Sequence, residues 1–520
     1  MFKRNKAFIL LPLVVLLMVS VGCKKGTFDI NSVNPNIPSD VDPKFILSGA
    51  LKNTAASLRG GDADYIELYM GYYAVSGDYI PQTQTLTYAT STSYYSGAWD
   101  DIYVNLKNYR QMEVLAATDP NAGYYTAMAK IMEALLFGRL VDQYNDIPYT
   151  NALEGGVVNF PTYDKAANVY DSLIVQLNDA ISIINTTNNN VNAEIPGAYD
   201  IMFNQGNANS VSAEMTLWKQ LANTVKLRLA LNMTGASGGS AFIQSALSGT
   251  SVDGFLGAGS DASVNPGYSN SSEAQQSPYY NDMGFSTSGA VQNQESYLRA
   301  CSYIVNLMYA NSDTLRLNQM FAPASALGVV AGRPFGSNVS VGQDNQHVSG
   351  MGPGLLQTPS SAAVILPACE SFYMQAEATA DGILPGGLGG AASLYQTGME
   401  ESFRLLQVPN AASTADAYIA SQPGNTFVNT LHDTTSALMV NTIVNQEWLA
   451  LCGVDPLTSW SNWRRLGIPS TLPVSVFEAS TATHIPYRQT YPLSEYSYNA
   501  TNVQAEGTIN ILTSTIFWMP

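Results

Sequence analysis

The stretch WKQLANTVKLRLALNM (218–233) sets the character of the whole chain. Trp218, Leu221, Ala222, Val225 and Leu229 recur at steps of three and four, the period that puts them on one stripe of an α-helix. The Gly- and Ser-rich run GASGGS follows and stops it. The same grammar appears upstream. NVYDSLIVQLNDAISII (168–184) places Val169, Leu173, Leu177, Ile181 and Ile184 on one stripe and ends in NTTNNN. GYYTAMAKIMEALLFGRLVDQYNDIPY (123–149) reads as a long apolar helix that stops near Asn145 and Pro148. Downstream, ESFYMQAEATADG (370–382) and AASLYQTGMEESFRLL (391–406) flank the turn ILPGGLGG and make a helix–turn–helix pair. Ala376 and Ala378 face aromatics in the packing style of tetratricopeptide pairs, without a clean repeat period. A further helix is expected over NTIVNQEWLALCG (441–453), with a mostly irregular tail beyond it. The chain is therefore mainly α.

Two regions depart from this pattern. Residues 62–110 read as helical and dense in aromatics, with Tyr65, Tyr69, Tyr72 and Tyr73 on one face. From about 235 to 360, Gly, Ser, Asn and Pro are frequent and periodicity is weak. Loops of that length in a packed protein are commonly functional surfaces, and these carry Tyr268, Tyr279, Tyr280 and His347. They are read as an irregular, loop-rich, ligand-facing part.

The 520 residues carry a formal charge of −17, yet only 12% are charged, about half the usual share. Hydrophobic residues at 46% suffice for a large core. An acidic surface of this kind repels nucleic acid. Lys3, Arg4 and Lys6, the uncharged run Ala7–Val21 and the sequence MVSVGCKKG (18–26) have the order of a secretory signal ending at Cys23. The expectation is a signal peptide over 1–22, a lipidated Cys23 with a tether to 41, and a single domain over 42–520. Without the leader, 20 basic residues face 40 acidic ones, a net charge of −20. A membrane hold would come from Cys23 and not from charge. Cys301, Cys369 and Cys452 are too few and too dispersed for a disulfide framework and read as small buried thiols.

Catalytic signatures are sparse. The G-x-S-x-G match at 235–239 lacks the strand that must precede a nucleophile elbow. His347, His432 and His484 lie far apart in sequence, and no metal site is expected from them. Glu400 and Glu401 point about 100° apart on a helix and read as a solvated face. No cofactor is expected. Asp62 and Asp64 mark the spot where Ca2+ would sit, although that ion wants six or more oxygens. What remains is aromatic and neutral-polar surface, suited to sugars and nearly as well to extended peptides.

Several blocks, in order, resemble the SusD/RagB family of nutrient-binding outer-membrane lipoproteins of the Bacteroidetes, and its SusD-like 2 branch in particular. They are FDINSVNPNIP (28–38), DPKFILSGAL (42–51), RLVDQYNDIPYTNAL (139–153), FPTYDKAANVYDSLIVQLNDAI (160–181), WKQLANTVKLRLALNM, ESFYMQAEA, NQEWLALCGVDPLTSWSNWRRLGIP (445–469) and IPYRQTYPLSEYSYNATNVQ (485–504). The departures are Asn145, Val225, Tyr373, Asn462 and Leu466. Ser20 also stands where the lipobox usually has Leu. The resemblance implies tetratricopeptide-like helix pairs supporting the loop-rich face. It implies a surface lipoprotein that binds glycan, or alternatively oligopeptide, and caps a SusC-like TonB-dependent β-barrel transporter. It implies no enzyme, the rival being a surface glycosidase or peptidase. Lys24 and Lys25 follow Cys23 where acidic residues are usual for surface export. Family motifs do not identify pocket residues. The ligand-binding candidates are therefore chosen on aromatic character: Tyr73, Tyr79 and Trp99 from the N-terminal segment, with Tyr268 and Tyr279 from the long loop. Arg464, Arg465 and Arg488, each close to aromatics, read as scaffold, with Glu495 or Asp455 as partners.

Overall fold

The computed structural model describes residues 41–61, 64–80, 82–154 and 157–520. Cys23, the leader, nearly all of the tether and Asp62 lie outside the described residues. Pro43–Pro520 pack as one unit.

The helices are α1 (Pro43–Arg59), α2 (Asp64–Tyr69), α3 (Gly97–Ala116), α4 (Gly123–Tyr144), α5 (Ala166–Thr187), α6 (Val211–Asn232), α7 (Pro278–Met283), α8 (Ala368–Ala380), α9 (Gly387–Leu405), α10 (Ala411–Ala420), α11 (Ser436–Ala450) and α12 (Pro456–Leu466), with shorter turns between them. Neighbouring helices pack in pairs: α3 on α4, α4 on α5, α8 on α9, α9 on α10 and α8 on α11. The mainly α reading holds. Among the described residues, no helix is long and apolar enough to cross a membrane.

The stripe on α5 buries Val169, Leu173, Leu177 and Ile184 as its period requires, with Ala180 buried and Ile181 only partly so. On α6 the stripe is buried, and so are Asn223, Thr224, Lys226 and Arg228 on other faces. A helix closed on all sides lies centrally. Its polar groups must then find partners, and Lys226 reaches Asn178 Oδ1 at 3.0 Å. Ser210 caps the start of α6, accepting from the Ala213 amide.

Among the described residues two large apolar clusters result, with a small third one where Leu227 and Leu231 of α6 meet Met374 and Ala378 of α8. Of the large two, one joins α1 with α3–α6 and closes on Trp518; the other joins α2 with α8–α12. Cys301, Cys369 and Cys452 are free and buried.

Residues 62–110 are less helical than their pattern suggests. Gly71 turns the chain at φ +68°, and Tyr73–Val75 then forms strand β1, paired antiparallel with Leu298–Ala300. Helix periodicity and a buried aromatic strand look alike over so few residues. The loop-rich part is also more ordered than its composition implies. It contains a strand at Ala262–Val264, paired with Ala363–Leu366, and helices at Ser302–Ala310 and Thr314–Met320. Helices α10 and α12 were not expected. Helix α12 starts at Pro456 and ends at Gly467 in the left-handed region, which is orthodox punctuation hidden inside a polar sequence.

Candidate functional site

The two large clusters meet at α12, where buried charges join them, and at the small apolar contact of α6 with α8. Asp455 Oδ1 and Oδ2 accept from one Arg139 nitrogen of α4 at 3.0 and 2.9 Å, and Oδ2 accepts from Arg228 of α6 at 3.3 Å. Arg228 Nε donates to Glu370 Oε1 of α8 at 3.0 Å. Arg465 grips both oxygens of Glu377 and also Asn462 Oδ1, and the Asn462 amide donates to Glu447 Oε2 of α11 at 2.7 Å. Burial opposes the charge of Asp455, yet Arg139 and Arg228 hold its carboxyl below the usual range. Arg464 lies 4.1 Å from the Trp460 ring centre and 4.9 Å from that of Trp518, and its head donates to the Tyr487 carbonyl at 3.0 Å. Arg488 stacks on Tyr491 and donates to the Tyr144 carbonyl. The expected Arg residues are scaffold, as read. Their partners differ from those expected: Asp455 serves Arg139 and Arg228, while Glu495 accepts from Tyr163.

The cleft beside this framework is built differently. It has a volume of about 180 Å3 and draws on α1, α7, α9, the second strand of the Ala262–Val264 pair and the loop after Met351. Its floor is aromatic and ionic. Tyr279 and Tyr73 share a hydroxyl–hydroxyl hydrogen bond of 2.8 Å. The Arg59 guanidinium lies 4.8 Å from the Tyr279 ring centre and donates to the Gly453 carbonyl at 2.7 Å. Gly453 sits at φ +66°, and a Cβ there would lie 2.9 and 3.0 Å from the two Tyr hydroxyls. Only glycine allows the chain to pass so close. Beneath, Glu67 is buried, which pushes its carboxyl up to about 8 despite the Gly453 amide and Arg59.

The walls carry half-buried Tyr280 and the exposed polar residues Gln357, Thr358 and Gln407. Gln357 spends its amide on the Gly354 and Leu405 carbonyls. Thr358 and Ser361 share a 2.8 Å hydroxyl contact. One wall is an ion pair: Arg404 Nη2 donates to both oxygens of Asp261 at 2.7 Å, and its Nε donates to Glu401 at 2.6 Å. Asp261 is the one carboxylate among the described lining residues, and it is already paired. Glu401, read as part of a solvated face, is instead buried in this pair and also accepts from the Gly259 amide. A flat ring with amides and hydroxyls around it suits non-covalent binding of a neutral, hydroxyl-rich body.

The five aromatic candidates separate. Tyr279 lines this cleft although it is only 8% exposed, and Tyr73 lies behind it as support, fully buried. Trp99 is 2% exposed and surrounded by the rings of Tyr103, Tyr144, Tyr163 and Tyr491. It is a core residue with no open face for a ligand, which corrects the sequence expectation, as does the burial of Tyr73. Tyr268 is also buried, at 6% exposure, packed into the first cluster. Tyr79 is 36% exposed and packs edge-on against Tyr297 at 5.3 Å, with Ile80 beside it almost fully exposed. The sequence reading did not single out Arg59, Gln357, Thr358 or Gln407 as site residues. They come from separate segments with no shared motif, and Tyr280 beside Tyr279 was the one local signal.

Elsewhere, Ser237 lies in the turn between α6 and a short helix starting at Gly239, without the strand of a nucleophile elbow. Among the described residues no group of three or more His, Cys, Asp or Glu could hold a metal ion.

The profile of the SusD-like 2 family, described as "Starch-binding associating with outer membrane", matches residues 35–492. The chain belongs to the SusD-like family. The fold agrees. A SusD homologue from Bacteroides fragilis superposes with a TM-score of 0.72 at 19% identity, covering 92% of this chain and 100% of that one. A chitin-binding SusD homologue from Flavobacterium johnsoniae gives 0.72 at 19% identity, with 91% and 98% covered. A SusD homologue from Bacteroides thetaiotaomicron gives 0.71 at 18%, with 92% and 99% covered. No curated protein matches the chain. In this SusD-like protein WSNWRRLGIP and IPYRQTYP lie in or against the charged framework, while Gly453 and Val454 of the same 445–469 block belong to the cleft.

Proposed function

We propose that this SusD-like protein is a glycan-binding protein of the outer membrane that captures an oligosaccharide and delivers it to a SusC-like TonB-dependent β-barrel transporter. Cys23 would carry the lipid anchor, with the protein facing outward. One acyl chain holds only marginally, so a durable anchor needs more than one. The observation that carries the reading is the cleft, where Tyr279 and Tyr280 meet the amides and hydroxyls of Gln357, Thr358 and Gln407. The family description as starch-binding, and the chitin-binding name of one similar structure, support a glycan over a peptide. A volume of about 180 Å3 is below the roughly 300–1,000 Å3 that engulfs a small ligand. Such a cleft grips one part of a longer chain, which suits an oligomer. The protein itself breaks no bond in this scheme.

The test is calorimetric titration of the purified protein with starch-, chitin- and other glycan-derived oligosaccharides, followed by chain-length analysis. Saturable binding with unchanged length supports the reading. New chain ends would make it a hydrolase, and binding of oligopeptides alone would replace the ligand class. Protease added to intact cells should cut the protein, and a β-barrel transporter should co-purify with it.

A further inference from the structure

A second groove lies away from this cleft, between α3, α4 and α5, with a volume of about 500 Å3. At its base is Glu133, only 5% exposed. One carboxyl oxygen, Oε2, accepts from the Gln176 amide at 2.9 Å. Gln176 is thereby committed, since its other amide hydrogen goes to the Lys130 carbonyl and its oxygen accepts from the Tyr149 hydroxyl at 3.0 Å. The other carboxyl oxygen, Oε1, is buried and has no hydrogen-bond partner among the described residues, and Glu133 is one of the residues lining the groove. A buried carboxyl oxygen without a partner is costly, and its persistence needs a reason.

The surroundings say what would satisfy it. Half-buried Tyr149 stands beside it as a ring wall, held edge-to-face at 4.8 Å by Phe137, which is buried behind it. The rim cations are already taken. Arg110 pairs with Glu113 at 2.9 Å and lies 3.6 Å from Glu154, and Lys130 lies 3.2 Å from Glu113. Asp179 adds a further exposed acid from α5. Four carboxyl groups thus share the groove with two cations. At α12, Arg139, Arg228 and Arg465 meet Asp455, Glu370 and Glu377, whereas Glu133 has only an amide for a partner among the described residues.

We propose that this groove is a second ligand site, for an organic ammonium ion, with Glu133 as its counter-charge and Tyr149 as its ring wall. A carboxylate with aromatic faces is the general receptor for such a cation. The site is independent of the glycan cleft. Burial, reinforced by Glu113, pushes the Glu133 carboxyl up to about 8. Seating a cation then requires that proton to leave. Affinity should rise with pH up to about 8 and level off above it, with one proton released per ligand at lower pH.

The probe is cyclohexylammonium chloride, with cyclohexanol as the uncharged control, titrated into the full chain in buffers of different ionisation heat. The expected result is saturable binding at least tenfold tighter at pH 8.5 than at pH 6, proton release at pH 6, and at least tenfold weaker binding of cyclohexanol. Glu133→Gln should lose at least tenfold. Should that variant not fold, Arg110→Gln at the half-exposed rim decides: it should tighten binding about threefold by removing a like charge. No saturation, equal binding of cyclohexanol, or unchanged affinity in the decisive variant would overturn the proposal.

Discussion

The charged framework around α12 and the cleft beside it use similar residue types to opposite ends. In the framework, Arg139, Arg228 and Arg465 face Asp455, Glu370 and Glu377, all buried. In the cleft, Gln357, Thr358 and Gln407 lie at the surface. A buried ion pair adds little compared with an apolar one, but removing one partner strands the other. The framework therefore fixes which helices meet, while the cleft can change its residues at small cost to the fold. The WSNWRRLGIP block falls on the framework, while Gly453 and Val454 just before it belong to the cleft.

The largest effects should come from breaking the framework. Asp455→Ala strands Arg139 and Arg228 and should destabilise the protein by about 3–5 kcal/mol in chemical denaturation. Trp99→Ala, a core truncation, should cost about 3–5 kcal/mol while folded molecules bind ligand as before. Weakened binding with unchanged stability in either variant would erase the distinction between the regions.

A pH series tests the cleft floor. Glu67 is held at about 8 by burial, above its unfolded value, so the folded state keeps a proton that the unfolded state loses. Its contribution is present in full below about pH 4.3 and is lost as pH rises through about 8. The slope is at most about 1.4 kcal/mol per pH unit for one group. The melting temperature should fall from pH 5 to 8.5, and Glu67→Gln should flatten that fall. An unchanged slope in the variant would remove Glu67 from this role.

Smaller still, Tyr280→Ala should weaken oligosaccharide binding by roughly 0.5–1.5 kcal/mol beyond lost area and leave the melting temperature nearly unchanged. An equal loss of stability would mean that this wall is framework too. Tyr79→Ala, at an exposed edge-on pair, should move stability by about 0.5 kcal/mol or less. A large loss of binding there would extend the site to the Tyr79–Tyr297 surface.

The amino-acid sequence by itself determined the helical character, since a 3.6-residue apolar period is written locally in α5 and α6. It also determined that the Arg residues of the WSNWRRL block are scaffold, because cations beside aromatics in a weakly charged chain imply stacking and pairing. It did not determine their partners: Arg465 and Glu377 are 88 residues apart, and Arg228 and Asp455 are 227 apart. The cleft was hidden for the same reason. Arg59, Tyr279, Gln357 and Gln407 meet only because α1, α7 and α9 pack around the Gly453 turn. Aromatic content alone could not distinguish Trp99, enclosed by four rings, from Tyr279 in the cleft floor. Periodicity is a local property of the backbone; burial and pairing belong to the packed chain, and only the tertiary structure decided them.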